Sequence, residues 1–318
     1  MPHRALEIVM YHYIRDFPRS RYPDIKGLDL AEFRFQLDHL MQTRTIVTMA
    51  EVVNCLRTGD DLPPRAALLT FDDGYAEHYQ TVFPILFDKG VEGSFFPPVE
   101  PIRDGVMLDV NRVHFILASC DDPGVLGAEI DRSIAESGRE GLRSVAEYRA
   151  EWAQPNRFDD AETIYVKRML QTVLPEDMRN AIAQRLFAQY VSVDEAAFAA
   201  ELYISPEQAR VMQASGMYFG SHGFSHHWLN RISPAHQRRE IDASLTFLRD
   251  IGSPVDDFWA MCYPYGGWNE SLLEILREKD CAVGLTTEVA TATLDAPDPL
   301  LLPRYDTNDF PKGPATAG

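Results

Sequence analysis

An α/β fold with parallel strands is predicted, and three observations carry the prediction. Strand-like apolar runs alternate with helical periods across residues 6–96 and again across residues 205–286. The run Ala66-Ala67-Leu68-Leu69 leads into two adjacent carboxylates, Asp72 and Asp73. Parallel β/α folds collect their chemistry at such C-terminal strand ends. From about residue 109 to 202 the pattern changes to long amphipathic segments with few strand signals, which reads as a helical insertion at 104–204.

The elements follow in order. Residues 6–13 read as a buried strand, and Leu30, Phe33, Leu37, Leu40 and Met41 have helical spacing. Residues 45–48 form a short strand and 49–56 a helix; Asp60-Asp61-Leu62-Pro63-Pro64 is a turn. Residues 66–71 are the next strand, 75–89 a helix that continues past Pro84, and Gly90 its left-handed stop. A strand resumes at 93–96. Within the insertion, 163–174 and 176–190 read as helices. Ser205-Pro206-Glu207-Gln208 is a helix start with Ser as N-cap, Pro at N1 and Gln at N3, and that helix ends near Gly216. Strands are expected at 217–221, 258–263 and 282–286, and helices at 234–251 and 271–279. The segment 311–318 has no core-forming pattern and reads as a loose tail.

The length of 318 residues suits one barrel-like α/β domain with an insertion, and 45% hydrophobic residues suffice for a sizeable core. A formal net charge of −18 argues against a general nucleic-acid or anionic-membrane surface. The four cysteines, Cys55, Cys120, Cys262 and Cys281, have no CxxC spacing and read as reduced thiols. The opening Met1-Pro2-His3-Arg4 and the short apolar run behind it fit neither a signal peptide nor a membrane span, so a cytoplasmic protein is expected.

Two segments carry the chemistry. Thr70-Phe71-Asp72-Asp73-Gly74-Tyr75 supplies a carboxylate pair; Ser221-His222-Gly223-Phe224-Ser225-His226-His227 supplies histidines at i and i+4. One Asp and two imidazoles suit a divalent metal with a position left open for water, and the second Asp is then available as a base. Asp-Gly before a helix is also an ordinary capped turn, and a His-rich loop is often only surface; two such pairs at two strand ends favour a site. The i, i+4 spacing serves one metal if the turn is helical. His227 and His236 read as surface histidines. A third segment, Cys262-Tyr263-Pro264-Tyr265-Gly266-Gly267-Trp268-Asn269, combines a fixed backbone with aromatic faces suited to stacking on sugars.

On these segments the chain resembles the polysaccharide deacetylase (NodB-homology) family, carbohydrate esterase family 4. Phe71-Asp72-Asp73-Gly74 matches the first family motif, Ser221-His222 through His226 and Leu229 the second, and Tyr263-Pro264-Tyr265-Gly266 the end of the third. Tyr11-His12, Phe95-Phe96 and Leu302-Pro303-Arg304 resemble recurrent flanking features, so that the match spans about residues 5–100 and 205–310. The resemblance implies a deformed (β/α)7-type barrel, metal ligands at Asp73, His222 and His226 (Zn²⁺ or a similar divalent ion), Asp72 as general base, and the Tyr265 backbone N–H as oxyanion donor. Three departures stand out. Gly223 replaces the usual Ser or Thr, Cys262 stands where the family has an Arg that orients the base, and no His follows His236 to serve as general acid. Arg304 is the candidate for the missing Arg and His12 for the missing acid, with His114 a weaker one.

The reaction expected is hydrolysis of an N-acetyl or N-formyl group on an amino sugar or glycan precursor by metal-activated water. Two other readings remain: a cyclic amide or imide hydrolase on a similar barrel, or a non-catalytic glycan-binding relative. Nucleic-acid partners and a membrane span are not expected; a homo-oligomer is compatible with the sequence.

Overall fold

The computed structural model describes residues 4–156, 159–295 and 298–313. The chain divides into two compact units, one of residues 1–16, 26–105 and 200–318, the other of residues 17–25 and 106–199.

The first unit is α/β. Strand β1 (Ala5–Tyr11) lies parallel to β2 (Ala66–Asp72), with Leu6 opposite Ala66 and Tyr11 opposite Phe71. β3 (Ser94–Phe96) and β4 (Tyr218–Phe219) extend the sheet in the same direction. β5 (Trp259–Cys262) and β6 (Cys281–Leu285) form a separate parallel pair, and β7 (Tyr305–Asp306) runs parallel to β1 on its other side. Every residue of β2 is buried, which explains its unbroken apolar run: a central parallel strand is covered on both faces. Single parallel bridges join Ser221 to Met261 and Leu285 to Leu302 between these ladders. The α/β class stands, whereas the expected barrel is met only by an open sheet and two separate two-stranded pairs; no closed sheet forms among the described residues.

Side-chain alternation sorts the two faces. On one, register partners Tyr11, Phe71, Phe95 and Phe219 stack ring upon ring at 5.0, 4.8 and 5.5 Å, and Phe33 of helix Leu30–Thr43 meets Tyr11 edge-on. On the other, Leu6, Ile8, Leu68, Phe96, Ala260, Cys262, Val283, Leu285 and Leu302 converge in one core. Thr70 and Asp72 share the second face, because they alternate with Phe71. Gly220 is required for the approach of strands: a Cβ there would lie 2.4 Å from the Phe96 ring and 2.8 Å from the Ala260 carbonyl oxygen.

Several local readings shift. The first strand stops at Tyr11, and Ile14–Arg15 forms a separate two-residue strand with Leu28–Asp29. The helix expected over 75–89 opens with a π turn, His78–Val82, and becomes α-helical at Phe83–Lys89, with Pro84 in its first turn, where no N–H is needed. Gly90 ends it at φ 66°. The Ser205 capping box is present and opens helix Pro206–Ala214. The strand expected at 217–221 shortens to β4 because Ser221 pairs across to Met261 instead.

The second unit is helical, with Asp109–Ala118, Pro123–Glu136, Val145–Trp152, Ala161–Arg168 and Glu176–Tyr190 among its helices. The segment expected as a helix over 163–174 ends in a π turn, Met169–Val173. Phe115, Phe187 and Phe198 pack edge to face in its interior. This unit also takes in residues 17–25, whose Tyr22 ring packs on Phe115 and Phe198. Of the tail expected at 311–318, residues 314–318 lie outside the described residues, as do residues 1–3.

Candidate active site

β2 ends at Asp72, and the chain turns at Asp73, whose φ of 70° is left-handed. That reversal lets two adjacent carboxylates reach one region. Gly74 continues the turn at φ 66°, where a Cβ would lie 2.7 Å from Pro97 Cβ. Asp73 N–H donates to Phe96 O at 3.1 Å, anchoring the turn to the end of β3.

The second segment leaves β4. Residues 221–227 are not helical: Gly223 has φ 75° and His226 φ 58°. The condition attached to the i, i+4 spacing is therefore not met, and the two imidazoles converge through a loop with two left-handed residues. Gly223 sits where family members carry Ser or Thr; its backbone explains the departure, since a side chain is strained at that φ. Glu240, buried on helix Pro234–Asp250, fixes this loop by accepting the N–H groups of Phe224 and Ser225, both at 2.9 Å from its Oε2.

Asp73, His222 and His226 are all buried, and their ligand atoms lie within 4.8 Å of one another. Asp73 Oδ1 is 3.5 Å from His222 Nε2 and 3.3 Å from His226 Nε2. Tyr75 OH donates to the other oxygen, Oδ2, at 2.6 Å. His222 Nδ1 lies 2.7 Å from Cys262 O; a carbonyl only accepts, so Nδ1 carries the hydrogen and Nε2 is turned to Asp73. Asp73 Oδ1 has no hydrogen-bond partner among the described residues. A buried carboxylate oxygen facing two imidazole nitrogens, with nothing donating to it, suits a cation between the three. Burial works against the Asp73 charge, yet the two imidazoles hold its carboxyl well below the ordinary range.

Asp72 is the other half of the site. Arg304 clamps it with Nη1 to Oδ1 at 3.0 Å and Nη2 to Oδ2 at 2.9 Å. The guanidinium is itself buried and held by Thr286 O at 2.9 Å from Nε and by Thr70 Oγ1 at 3.2 Å from Nη1. Cys262 Sγ donates to Asp72 Oδ2 at 3.3 Å. Burial tends to raise the Asp72 carboxyl, but the Arg304 charge, helped by His222 and His12, keeps it below its ordinary value. The guanidinium beside Asp72 thus comes from the segment leading into β7, as the candidate Arg304, while position 262 brings a thiol to the same carboxylate.

His12 Nε2 lies 3.9 Å from Asp72 Oδ2, with the imidazole side chain 41% exposed. Its carbonyl is held by His78 Nε2 at 2.9 Å, and burial among aromatic rings pulls His78 down to about 4, so this histidine stays neutral and donates. Tyr265, at φ 57°, stacks on Trp228 at 4.5 Å and meets the His226 ring at 4.6 Å. Three of the five left-handed non-glycine residues among those described, Asp73, His226 and Tyr265, therefore belong to this region, as strained backbone at functional sites often does. His114 lies on helix Asp109–Ala118 of the second unit.

The structure brings together Asp72, Asp73, His222, His226, Arg304 and His12, with Tyr265 against His226. Reasoning from the sequence missed Thr70, Tyr75, His78 and Glu240. Tyr75 closes the Asp-Asp-Gly-Tyr segment and was within reach; Glu240 is linked to its loop only through the fold.

Fold and site together define an α/β protein with a three-residue cluster able to hold a metal and a guanidinium-clamped carboxylate beside it. The family model for polysaccharide deacetylases matches residues 157–284, which include the histidine segment and the whole Tyr263-Pro264-Tyr265 turn but not Asp72 and Asp73. The poly-beta-1,6-N-acetyl-D-glucosamine N-deacetylase of Escherichia coli K12 is 33% identical over 87 residues, and so is that of strain O157:H7. Those residues are 27% of this chain and 12% of each relative, so the match spans a small part of the relatives' length. Among solved structures, the fold is similar to the Streptococcus pyogenes deacetylase PplD in complex with acetate (TM-score 0.56, 16% identity, 96% of this chain and 93% of that one). It is also similar to IcaB from Ammonifex degensii (0.53, 19%, 95% and 91%) and to the BpsB deacetylase domain from Bordetella bronchiseptica (0.54, 14%, 95% and 96%). The resemblance to polysaccharide deacetylases read from the motifs is upheld by the family model, the curated relatives and the structural neighbours.

Proposed function

We propose that this chain is a metal-dependent N-deacylase acting on an N-acetylated or N-formylated amino sugar in a glycan or glycan precursor. The observation that carries the reading is the juxtaposition of Asp73, His222 and His226 with Asp72, a carboxylate kept ionised by Arg304. Binding alone has little need of a free base beside a metal cluster, which disfavours a glycan-binding protein without activity. The deacetylase names of the curated relatives and structural neighbours support a glycan substrate over a cyclic amide. A deformed seven-strand barrel is the architecture we infer around the site, supported by alternate residues of successive strands meeting in one core and by the single bridges between ladders.

Asp73, His222 and His226 would hold the ion, with Zn²⁺ the first choice for two imidazoles and a carboxylate. When bound, it would polarise the acyl carbonyl and make a water more acidic. Asp72 takes the proton of that water as it attacks. Arg304 and the Cys262 thiol hold the Asp72 carboxylate in place, and Arg304 keeps it charged. The Tyr265 N–H donates to the oxygen as charge develops on it. His12 delivers the proton to the departing amine, its exposed imidazole placed beside Asp72 at the edge of the site. The Trp228 and Tyr265 rings offer faces on which a sugar can stack. A cytoplasmic setting belongs to the same reading and is supported by cysteines that form no disulfide. No helix among the described residues is long and apolar enough to cross a membrane.

The test is release of acetate and formate from a panel of N-acylated amino sugars, glycan oligomers and cyclic ureides, with the chain loaded with Zn²⁺. Release from an amino sugar that disappears in Asp72→Asn is expected. Turnover of a cyclic ureide alone would overturn the substrate class, and metal binding with no turnover of any kind would overturn catalysis.

A further inference from the structure

A second constellation of ligating groups adjoins the His222–His226 loop through Glu240. His227, His236 and Glu240 bring their ligand atoms within 4.8 Å of one another. The two imidazole rings lie 5.3 Å apart at 69°, and His236 Nε2 is 3.7 Å from Glu240 Oε1, beyond hydrogen-bond reach. His236 and Glu240 occupy positions i and i+4 on helix Pro234–Asp250, the spacing that aims two ligands at one point from a single helical face.

The carboxylate distinguishes this cluster from a pair of surface histidines. Glu240 is buried, and among the described residues its Oε2 accepts the N–H groups of Phe224 and Ser225. Its other oxygen, Oε1, is the atom turned to His236. A carboxylate fixed by backbone donors through one oxygen and presenting the other to imidazoles is the arrangement that orients ligands in protein metal sites. Both histidines are half-buried, so their rings have room to close on an ion.

We infer that His227, His236 and Glu240 form a second divalent-metal site, for Zn²⁺ or another cation that favours imidazole, separate from the Asp73 cluster. Two imidazoles and one carboxylate leave further positions to water, and no reaction is assigned to this ion. Its physical consequence is local: Glu240 would tie the ion to the loop that carries His222 and His226. The inference does not depend on the proposed activity.

The test is a metal count. The full chain is stripped with a chelator, dialysed against a small molar excess of Zn²⁺ and analysed by elemental mass spectrometry. Two zinc ions per chain are expected, falling to one in His236→Ala and in His236→Gln, to one in Asp73→Ala, and to none in the Asp73→Ala/His236→Ala double variant. Circular dichroism establishes that each variant is folded. A single zinc in the unsubstituted chain that is lost in Asp73→Ala overturns the second site, as does retention of two ions in both His236 variants. A chain that loses zinc in the His236 variants but not in Asp73→Ala upholds the second site and overturns the ligand set of the proposed active site.

Discussion

Asp72 is buried, doubly bonded to a buried guanidinium and touched by a thiol, so its two substitutions separate chemistry from stability. Asp72→Asn keeps the shape and removes the proposed base. Activity should fall by about 10²–10⁴-fold while zinc content stays unchanged, read by product release beside elemental analysis. Arg304→Met leaves the Asp72 carboxylate buried without its partner, and such uncompensated charges cost about 3–5 kcal/mol. Urea unfolding should show a loss of that order, larger than for a surface arginine such as Arg57. Asp73, His222 and His226 were legible as a candidate cluster from residue type and position, and the fold brings their side chains together. The partner of Asp72 was legible only as a candidate, because nothing between Asp72 and Arg304 in the chain records that the two approach.

At the scale of elements, helix ends and strand contacts make their own predictions. Glu92 Oε1 accepts the Met49 N–H at 2.8 Å at the start of helix Met49–Thr58, and burial pushes its carboxyl up to about 7. A carboxyl whose pKa is raised on folding stabilises the native state most below its unfolded value, and that contribution fades as pH climbs through the folded one. Stability should therefore decline between about pH 4.5 and pH 7, by on the order of 2–3 kcal/mol from this group. Glu92→Gln should flatten the decline in unfolding curves taken at pH 5 and pH 8. Gly220→Ala drives a methyl into the Phe96 ring and the Ala260 carbonyl and should cost about 1–3 kcal/mol, read as a lowered midpoint in urea. The Ser205 capping box was legible in full, since a cap is set by four consecutive residues. The π turns at His78–Val82 and Met169–Val173 were not, because an inserted residue leaves the apolar period nearly intact.

For the whole molecule, the proposed metal would link the site to stability. An ion that binds the folded chain and not the unfolded one adds about 2.7 kcal/mol at a hundredfold excess over its dissociation constant. Chelation should lower the melting temperature of the unsubstituted chain, and Asp73→Ala should blunt the effect; an unchanged melting curve on chelation would contradict the Asp73 cluster as a metal site. The sequence reads as one domain with a helical insertion at 104–204, from a change of pattern near residue 109; the second compact unit takes in residues 106–199 together with 17–25. The membership of residues 17–25 in the helical unit was not legible, because Tyr22 joins Phe115 and Phe198 across a long stretch of chain. By itself the sequence determined the α/β class, the helix caps and the types of side chain offered to the site, because local period, turn chemistry and side-chain identity are written in neighbouring residues. Only the tertiary structure decided that an Asp at the end of β2 would meet two histidines beyond β4, that Arg304 and Cys262 would both reach Asp72, and that His12 would lie beside the same carboxylate. Those contacts are fixed by strand register and by left-handed turns at Asp73, Gly223 and His226, which act over distances the sequence pattern does not encode.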